Sequence, residues 1–221
     1  MTTTTSSHFS MRRRAGDVLD LSTYLVTGEN PFETVRHAQH ATCIQVRSKP
    51  IEVRDLYQLS CAIAEVIRPD QLLLIDDRVD VALALRARGI RVDGVHLGQT
   101  DLPVHDARAL LGPDAIIGLT TGTRELVEKA NDLADVIDYI GAGPFRPSPT
   151  KVSNRPPLGI EGMRQLVELS KVPVVAIGDI WPKDAPALFE TGVSGIAMVR
   201  AFVDNPGLCI TPSSENGGGN A

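Results

Sequence analysis

Apolar positions follow two rhythms along this chain. Short runs of β-branched and aliphatic residues alternate with stretches whose apolar residues recur every three or four places. The short runs are 23–27 (TYLVT), 42–46 (TCIQV), 71–75 (QLLLI), 92–97 (VDGVHL), 115–118 (AIIG), 136–140 (VIDYI), 174–177 (VVAI) and 195–199 (GIAMV). Most are too brief and too continuously apolar for half-exposed strands, so they read as strands buried on both faces, as a parallel sheet requires. Between them lie helical patterns. Over 53–67, Leu56, Leu59, Ile63 and Ile67 form one stripe. The segment 78–88 stops at Gly89, a common helix terminator. Thr123 opens 123–134 as a partial capping box, because Leu126 lacks the returning carboxylate. The segments 158–170 and 183–191 complete the set, the last one behind Pro182.

Strands that alternate with helices build a parallel sheet. About eight such units favour a closed (β/α)8 TIM barrel over an open doubly wound sheet. No Gly-rich dinucleotide fingerprint follows the first strand. The expected organisation is a disordered, solvated tail over 1–20, one catalytic barrel over 21–205 and a second disordered, solvated tail over 206–221. The first tail is rich in Thr and Ser and carries Arg12, Arg13 and Arg14 without an apolar stretch behind them, unlike a secretory signal. The second contains Pro206, Pro212 and three consecutive glycines.

Composition narrows the function. With 43% hydrophobic and 22% charged residues, the 221-residue chain is of globular type. A net charge of −5 and 4% aromatics speak against nucleic-acid binding. No apolar run reaches the roughly 20 residues of a membrane span. Three cysteines, Cys43, Cys61 and Cys209, lack metal-like spacing and suit a reducing cytoplasm, the first two as core residues. A homo-oligomer is compatible with all of this.

In such a barrel, chemistry gathers beyond the C-terminal strand ends. There the sequence places Arg47 and Lys49, then Asp76, Asp77 and Arg78, then Gln99 and Asp101, then Thr120 and Thr121. A long loop from Gly143 through Ser148, Pro149, Thr150 and Lys151 follows the sixth strand, Gly178 and Asp179 the seventh, Arg200 the eighth. Asp77 and Asp101 suit a hard cation such as Mg²⁺, which takes one or two carboxylates and completes its shell with water and phosphate oxygens. Arg47, Lys49 and Lys151 add positive charge. The mixture points to a diphosphate substrate. Plainer readings stand beside this one. Asp77 and Asp101 also suit helix caps, and the basic residues suit a solvated loop. His96 lies inside a strand and reads as a core histidine with satisfied hydrogen bonds. Trp181 and Pro182 read as turn packing.

The segments TYLVT, IQVRSK, LLLIDDRVDVAL, VDGVHLGQTDL, IIGLTTGT, DYIGAGPFRPSPTK and VPVVAIGDI resemble the thiamine-phosphate synthases in order and spacing, from Tyr24 to about Phe202. The resemblance implies a transferase of thiamine biosynthesis. It would join 4-amino-2-methyl-5-(diphosphooxymethyl)pyrimidine to 4-methyl-5-(2-phosphoethyl)thiazole, or its carboxylated form, and release pyrophosphate. It implies that Gln45, Arg47 and Lys49 hold the pyrimidine diphosphate together with Asp76 and Thr120. It places one Mg²⁺ on Asp77 and Asp101. Ser148, Pro149 and Thr150 would hold the thiazole phosphate with Asp179, Val199 and Arg200, and Lys151 would reach the diphosphate. Arg47, Lys49 and Lys151 would stabilise the leaving group. The bond to pyrophosphate would break first, leaving a cation that the 143–157 loop shields from water. A neutral nitrogen nucleophile needs no strong base.

Four positions depart from that pattern. Asp76 stands where the family has Asn, and Thr120 where it has Ser. Asp179 replaces a second glycine after the seventh strand, and Arg200 replaces a Ser after the eighth. The last two bear on the thiazole-phosphate corner. They leave open a binding paralogue without turnover. A thiazole tautomerase is the other alternative, although a diphosphate clamp would be superfluous to it.

Overall fold

The computed structural model describes residues 19–147, 156–205 and 207–210. Eight parallel strands close into one barrel in chain order, with the last strand back on the first. They are β1 Thr23–Val26, β2 Cys43–Val46, β3 Leu72–Asp76, β4 Gly94–Leu97, β5 Ile116–Thr120, β6 Tyr139–Ala142, β7 Val174–Ile177 and β8 Gly195–Met198. The helices are α1 Pro31–His37, α2 Val53–Val66, α3 Val79–Ala87, α4 Val104–Leu111, α5 Arg124–Asn131, α6 Gly159–Leu169, α7 Ala185–Phe189 and α8 Arg200–Asp204. The fold is the expected TIM barrel.

Alternation along the strands splits the core in two. Residues facing outward, such as Leu25, Ile44, Leu73, Ile75, Val95 and Ile140, pack under the helices. Residues facing inward, including Tyr24, Val26, Cys43, Leu74, Ile116, Tyr139 and Val175, fill the barrel interior. This is a packed centre rather than a pore. Cys43 is buried, Cys61 is half-buried against the outer layer, and all three cysteines are free.

A device used twice ties the lower end together. Asp93, just before β4, accepts the backbone N–H of Leu73 (2.7 Å) and pairs with Arg91. Asp138, just before β6, accepts the N–H of Ile117 (2.8 Å) and pairs with Arg108 at 2.9 Å. Arg86 and Arg108, on successive helices, donate to the carbonyls of Val92 and Val136 at the approach to those strands. Each guanidinium thus satisfies buried carbonyls where a strand begins.

Several expected boundaries shift for local reasons. Residues 136–140 were expected as strand six, but Val136 and Ile137 donate back to the Leu133 carbonyl and close the turn after α5. The strand begins only at Tyr139. Residues 183–191 divide into a 3-10 turn, Pro182–Asp184, and α7. Pro186 has no N–H to continue one α-helical ladder across that junction. Thr123 caps α5 as expected, accepting from Leu126 N at 3.2 Å. Residues 207–210 were expected within a solvated tail. Instead Leu208 and Ile210 are buried, and the Thr23 hydroxyl donates to the Ile210 carbonyl (2.7 Å). Two apolar side chains in that short stretch bury enough surface to dock it. Of the first expected tail, Leu19 packs against the barrel interior and Asp20 accepts from Ser22 N at 2.9 Å; the remainder of both expected tails lies outside the described residues.

Gly94 is required by proximity. A Cβ there would overlap the Ile116 carbonyl oxygen, which belongs to the neighbouring strand's backbone and cannot step aside. Gly89 differs: its φ is +75°, but the space around it is open. In urea unfolding, Gly94→Ala should cost about 3 kcal/mol or more. Gly89→Ala should cost only about 1–2 kcal/mol, the strain of a left-handed non-glycine residue. Equal losses would contradict this account of the sheet.

Candidate active site

The C-terminal rim holds two polar clusters. The first spans β2, β3 and β4. Gln45 is the third residue of β2 and is buried, and Arg47 and Lys49 follow that strand. Thr27 steadies the exit of β2. It accepts from Arg47 N at 2.8 Å and donates to the Arg47 carbonyl at 2.7 Å. Asp76 was expected after β3 but is its last residue, and it is buried. Asp77 then takes a left-handed turn with φ 59°, a conformation that aspartate tolerates better than most residues. Its backbone N–H donates to the His96 carbonyl of β4 (2.8 Å).

The charges in this cluster meet. Lys49 Nζ donates to Asp77 Oδ2 and lies 3.3 Å from Asp76 Oδ2. Arg47 Nε stands 3.6 Å from the same Asp76 oxygen. Asp76 Oδ2 thus has two cations nearby but, among the described residues, no hydrogen-bond partner. The other oxygen, Oδ1, accepts from Gln45 Nε2. Asp101 Oδ2 accepts from Gly98 N (2.6 Å), which folds the loop after β4 back on itself. Asp77 and Asp101 therefore do not act as helix caps. Neither supplies a cap hydrogen bond to α3 or α4, whose cap positions are Arg78 and Pro103.

Electrostatics shows how crowded the negative charge is. Burial raises the Asp76 carboxyl above its ordinary range, and the Asp77 carboxylate raises it further against the pull of Lys49 and Arg47. Partial burial also raises Asp101, opposed by the Gly98 N–H and reinforced by Asp77. Asp77 and Asp101 are thus close enough to feel each other. Partial burial works against the Lys49 charge, but Asp77 and Asp76 outweigh it and hold the ammonium above its ordinary value. Thr120 closes this side as the last residue of β5. Its carbonyl accepts from Gln99 Nε2 (2.6 Å) and its hydroxyl lies 2.9 Å from His96 Nε2. His96 has polar partners at both ring nitrogens, as expected of a core histidine.

Two carboxylates of this kind fit one Mg²⁺ ion. No group of three or more His, Cys, Asp or Glu side chains converges among the described residues. Mg²⁺ needs only one or two, because it keeps water and phosphate oxygens as its other ligands.

The second cluster lies beyond β7 and β8. Gly178 has φ 113°, and a Cβ there would come within 2.6 Å of Phe145 N. Asp179 follows with φ 53°. Its carboxylate accepts from Arg200 and from Trp181 Nε1 (3.2 Å), and the Arg200 guanidinium lies 5.3 Å from the centre of the Trp181 ring. Arg146 braces the turn. It donates to the Asp179 carbonyl (3.0 Å) and pairs with Asp184. Val199 is partly buried at the start of α8, against Gly28. Ser148, Pro149, Thr150 and Lys151 lie outside the described residues.

Sequence reasoning passed over Trp181, Arg146, Tyr24 and Tyr139. Trp181 was read as turn packing, yet it carries Arg200. Tyr24 and Tyr139 lie in buried strands and gave no signal beyond being polar-tipped residues in apolar runs.

The family model of thiamine monophosphate synthase matches residues 23–202, the whole barrel. The chain belongs to that family. A thiamine-phosphate synthase of Corynebacterium efficiens is 59% identical over 192 residues, covering 84% of this chain and 89% of the relative. One from Corynebacterium jeikeium is 56% identical over 199 residues, covering 85% and 90%. Among solved structures, a thiamine phosphate pyrophosphorylase from Pyrococcus furiosus is similar with a TM-score of 0.71 and 36% identity, covering 86% of this chain and 89% of that one. Family membership makes the chain a transferase of thiamine biosynthesis.

The raised Asp76 carboxyl has a consequence with a definite sign. Its folded value lies above its unfolded one, so the folded state binds that proton more tightly. That stabilisation is complete below the ordinary aspartate range and is lost as pH rises through the raised value. Asp76→Asn should therefore raise the Tm of the metal-free protein at pH 7, with the gain shrinking as pH falls through the raised value and gone below about 4. A Tm that drops at pH 7, measured by scanning calorimetry across that range, would contradict it.

Proposed function

We propose that this barrel joins the pyrimidine diphosphate to the thiazole phosphate and yields thiamine phosphate and pyrophosphate. The observation that supports it most is the first cluster: Asp77 and Asp101 face one another beside Lys49, with Gln45, Arg47 and Asp76 on the same rim. A metal-bound diphosphate has the complementary charge.

The reaction forms one bond and breaks one. The thiazole ring nitrogen gives its lone pair to the exocyclic methylene of the pyrimidine. The C–O bond to the diphosphate breaks, and pyrophosphate leaves with that electron pair. Mg²⁺ held by Asp77 and Asp101 would supply positive charge at the leaving oxygens. Lys49 would turn from Asp77 to the diphosphate, and Arg47, 30% exposed at the side chain, would reach it from β2. Fixed cations of this type act where charge develops. Lys151 is assigned a place beside them from the family pattern. Gln45, Asp76 and Thr120 border the pyrimidine. No proton need leave the nucleophile, which accords with a His96 whose ring nitrogens lie beside the hydroxyls of Tyr139 and Thr120.

The second cluster is assigned to the thiazole phosphate. Asp179 alone would repel a phosphate. Arg200 neutralises it and keeps a guanidinium that is partly exposed. Phosphate would compete with Asp179 for that fork. Ser148, Pro149, Thr150 and Val199 complete the proposed pocket. The Asp179–Arg200 pair favours a rebuilt pocket over a lost one, and so favours turnover over a silent binding paralogue. The substrates are small molecules and the compartment is the cytoplasm. Among the described residues no helix is long and apolar enough to cross a membrane.

Purified protein given both substrates and Mg²⁺ should release thiamine phosphate and pyrophosphate in equal amounts. No product across a range of concentrations would overturn the assignment. Asp101→Ala should lower kcat/KM by about 10²-fold or more, the scale of losing one key electrostatic group. Arg200→Ala should raise KM for the thiazole phosphate about tenfold or more, one lost charge-assisted contact, and leave KM for the pyrimidine diphosphate nearly unchanged. Steady-state kinetics with each substrate varied in turn separates these outcomes.

A further inference from the structure

A chain of hydrogen bonds runs from the rim into the barrel centre and back out. Asp76 Oδ1 takes the amide of Gln45. Gln45 Oε1 lies 3.0 Å from the Tyr24 hydroxyl, which lies 2.7 Å from the Tyr139 hydroxyl. The Tyr139 hydroxyl is 2.8 Å from His96 Nδ1, and His96 Nε2 is 2.9 Å from the Thr120 hydroxyl. Tyr24 and Tyr139 are fully buried, and burial is the first reason that both phenols are held well above their ordinary range. They stay protonated, with one proton each to give. Gly118 makes the room: a Cβ there would overlap the Tyr139 ring and His96.

We propose that Asp76 sets the direction of this whole chain, so that His96 carries its proton on Nδ1 and Thr120 turns its hydroxyl proton inward. Counting protons fixes each role. A carboxylate only accepts, so Gln45 must turn its NH₂ to Asp76 and its oxygen to Tyr24. A carbonyl oxygen only accepts, so Tyr24 must spend its proton on Gln45. The Tyr24–Tyr139 contact then needs the Tyr139 proton. With that proton spent, His96 Nδ1 must be the donor to Tyr139. In the neutral ring, Nε2 is left as acceptor, and Thr120 supplies the proton.

An asparagine at position 76 would impose no such direction. It offers a donor on one side and an acceptor on the other, so Gln45 could lie either way round. The consequence for chemistry rests on the function proposed above. Thr120 meets substrate with oxygen lone pairs and serves as an acceptor for an N–H group, such as an amino substituent, rather than as a donor to phosphate. Tyr24, Tyr139 and His96 are positioning residues. They act through Gln45 and Thr120.

The test reads the tautomer directly and needs no turnover, so its failure is distinct from failure of the catalytic assignment. The full chain is labelled with ¹⁵N-histidine, and long-range ¹H–¹⁵N correlations are recorded at neutral pH without substrate. The chain has five histidines, and the His96→Gln spectrum identifies the signals of interest. The wild type should show a neutral ring protonated at Nδ1. Tyr24→Phe removes the acceptor for Tyr139, whose proton is then free for His96 Nδ1; the histidine proton should move to Nε2. Asp76→Asn should show an Nε2–H population that the wild type lacks. An Nε2–H or doubly protonated ring in the wild type overturns the proposal, as does a pure Nδ1–H pattern in both folded variants. Circular dichroism confirms that each variant is folded.

Discussion

Like charges brought together in partly buried surroundings must find compensation, and that constraint shapes the rim of this barrel. Asp76, Asp77 and Asp101 come from the ends of adjacent strands, and the Asp77 carboxylate raises the cost of ionising both Asp76 and Asp101. The described residues set two nearby cations against them, Lys49 and Arg47. One oxygen of Asp76 still lacks a hydrogen-bond partner among the described residues. A surface built only for stability would not keep such an arrangement, because a buried carboxylate oxygen without a hydrogen bond is expensive even beside cations. The cluster makes sense as a receptor whose balance is completed by a cation and a polyanion together.

The scaffold supports this by being rigid below and permissive above. At the lower end, paired Asp and Arg residues pin successive strand starts, and Gly94 lets two strands approach too closely for any side chain. At the upper end the chain turns through left-handed conformations at Asp77 and Asp179, both strand-exit residues. Strain of this kind survives only where surrounding contacts hold it. Asp77 is held by the His96 carbonyl and Lys49; Asp179 is held by Arg200, Trp181 and Arg146. The two corners also differ in logic. The first gathers three carboxylates around two cations among the described residues. The second sets an arginine against each of its carboxylates, Arg200 on Asp179 and Arg146 on Asp184, and leaves the Arg200 guanidinium partly exposed.

Much of this was legible in the sequence. Continuous apolar runs between helical stripes gave the closed barrel, and the rim order of Arg47, Lys49, Asp77 and Asp101 gave one shared mouth. Residues at strand edges were less legible. Whether Asp76 and Thr120 end a strand or follow it depends on pairing with β4 and β6, which no local pattern encodes. The 136–140 run looked like a strand because Val136 and Ile137 are apolar, but their N–H groups close a helix turn. Trp181 was invisible as a functional neighbour because its role depends on Arg200, which lies beyond an intervening helix and is brought alongside by the pairing of β7 with β8. The hydrogen-bond chain through Tyr24 and Tyr139 links residues 115 positions apart and needs three dimensions to be seen.

The central claim is that the acidic rim binds a metal and a diphosphate as one unit. Isothermal titration of the full chain with pyrophosphate, with and without Mg²⁺, tests it most directly. Binding that requires Mg²⁺ and is lost in Asp77→Asn is the predicted result. Equal binding with and without the metal, or binding untouched by that substitution, would contradict the account.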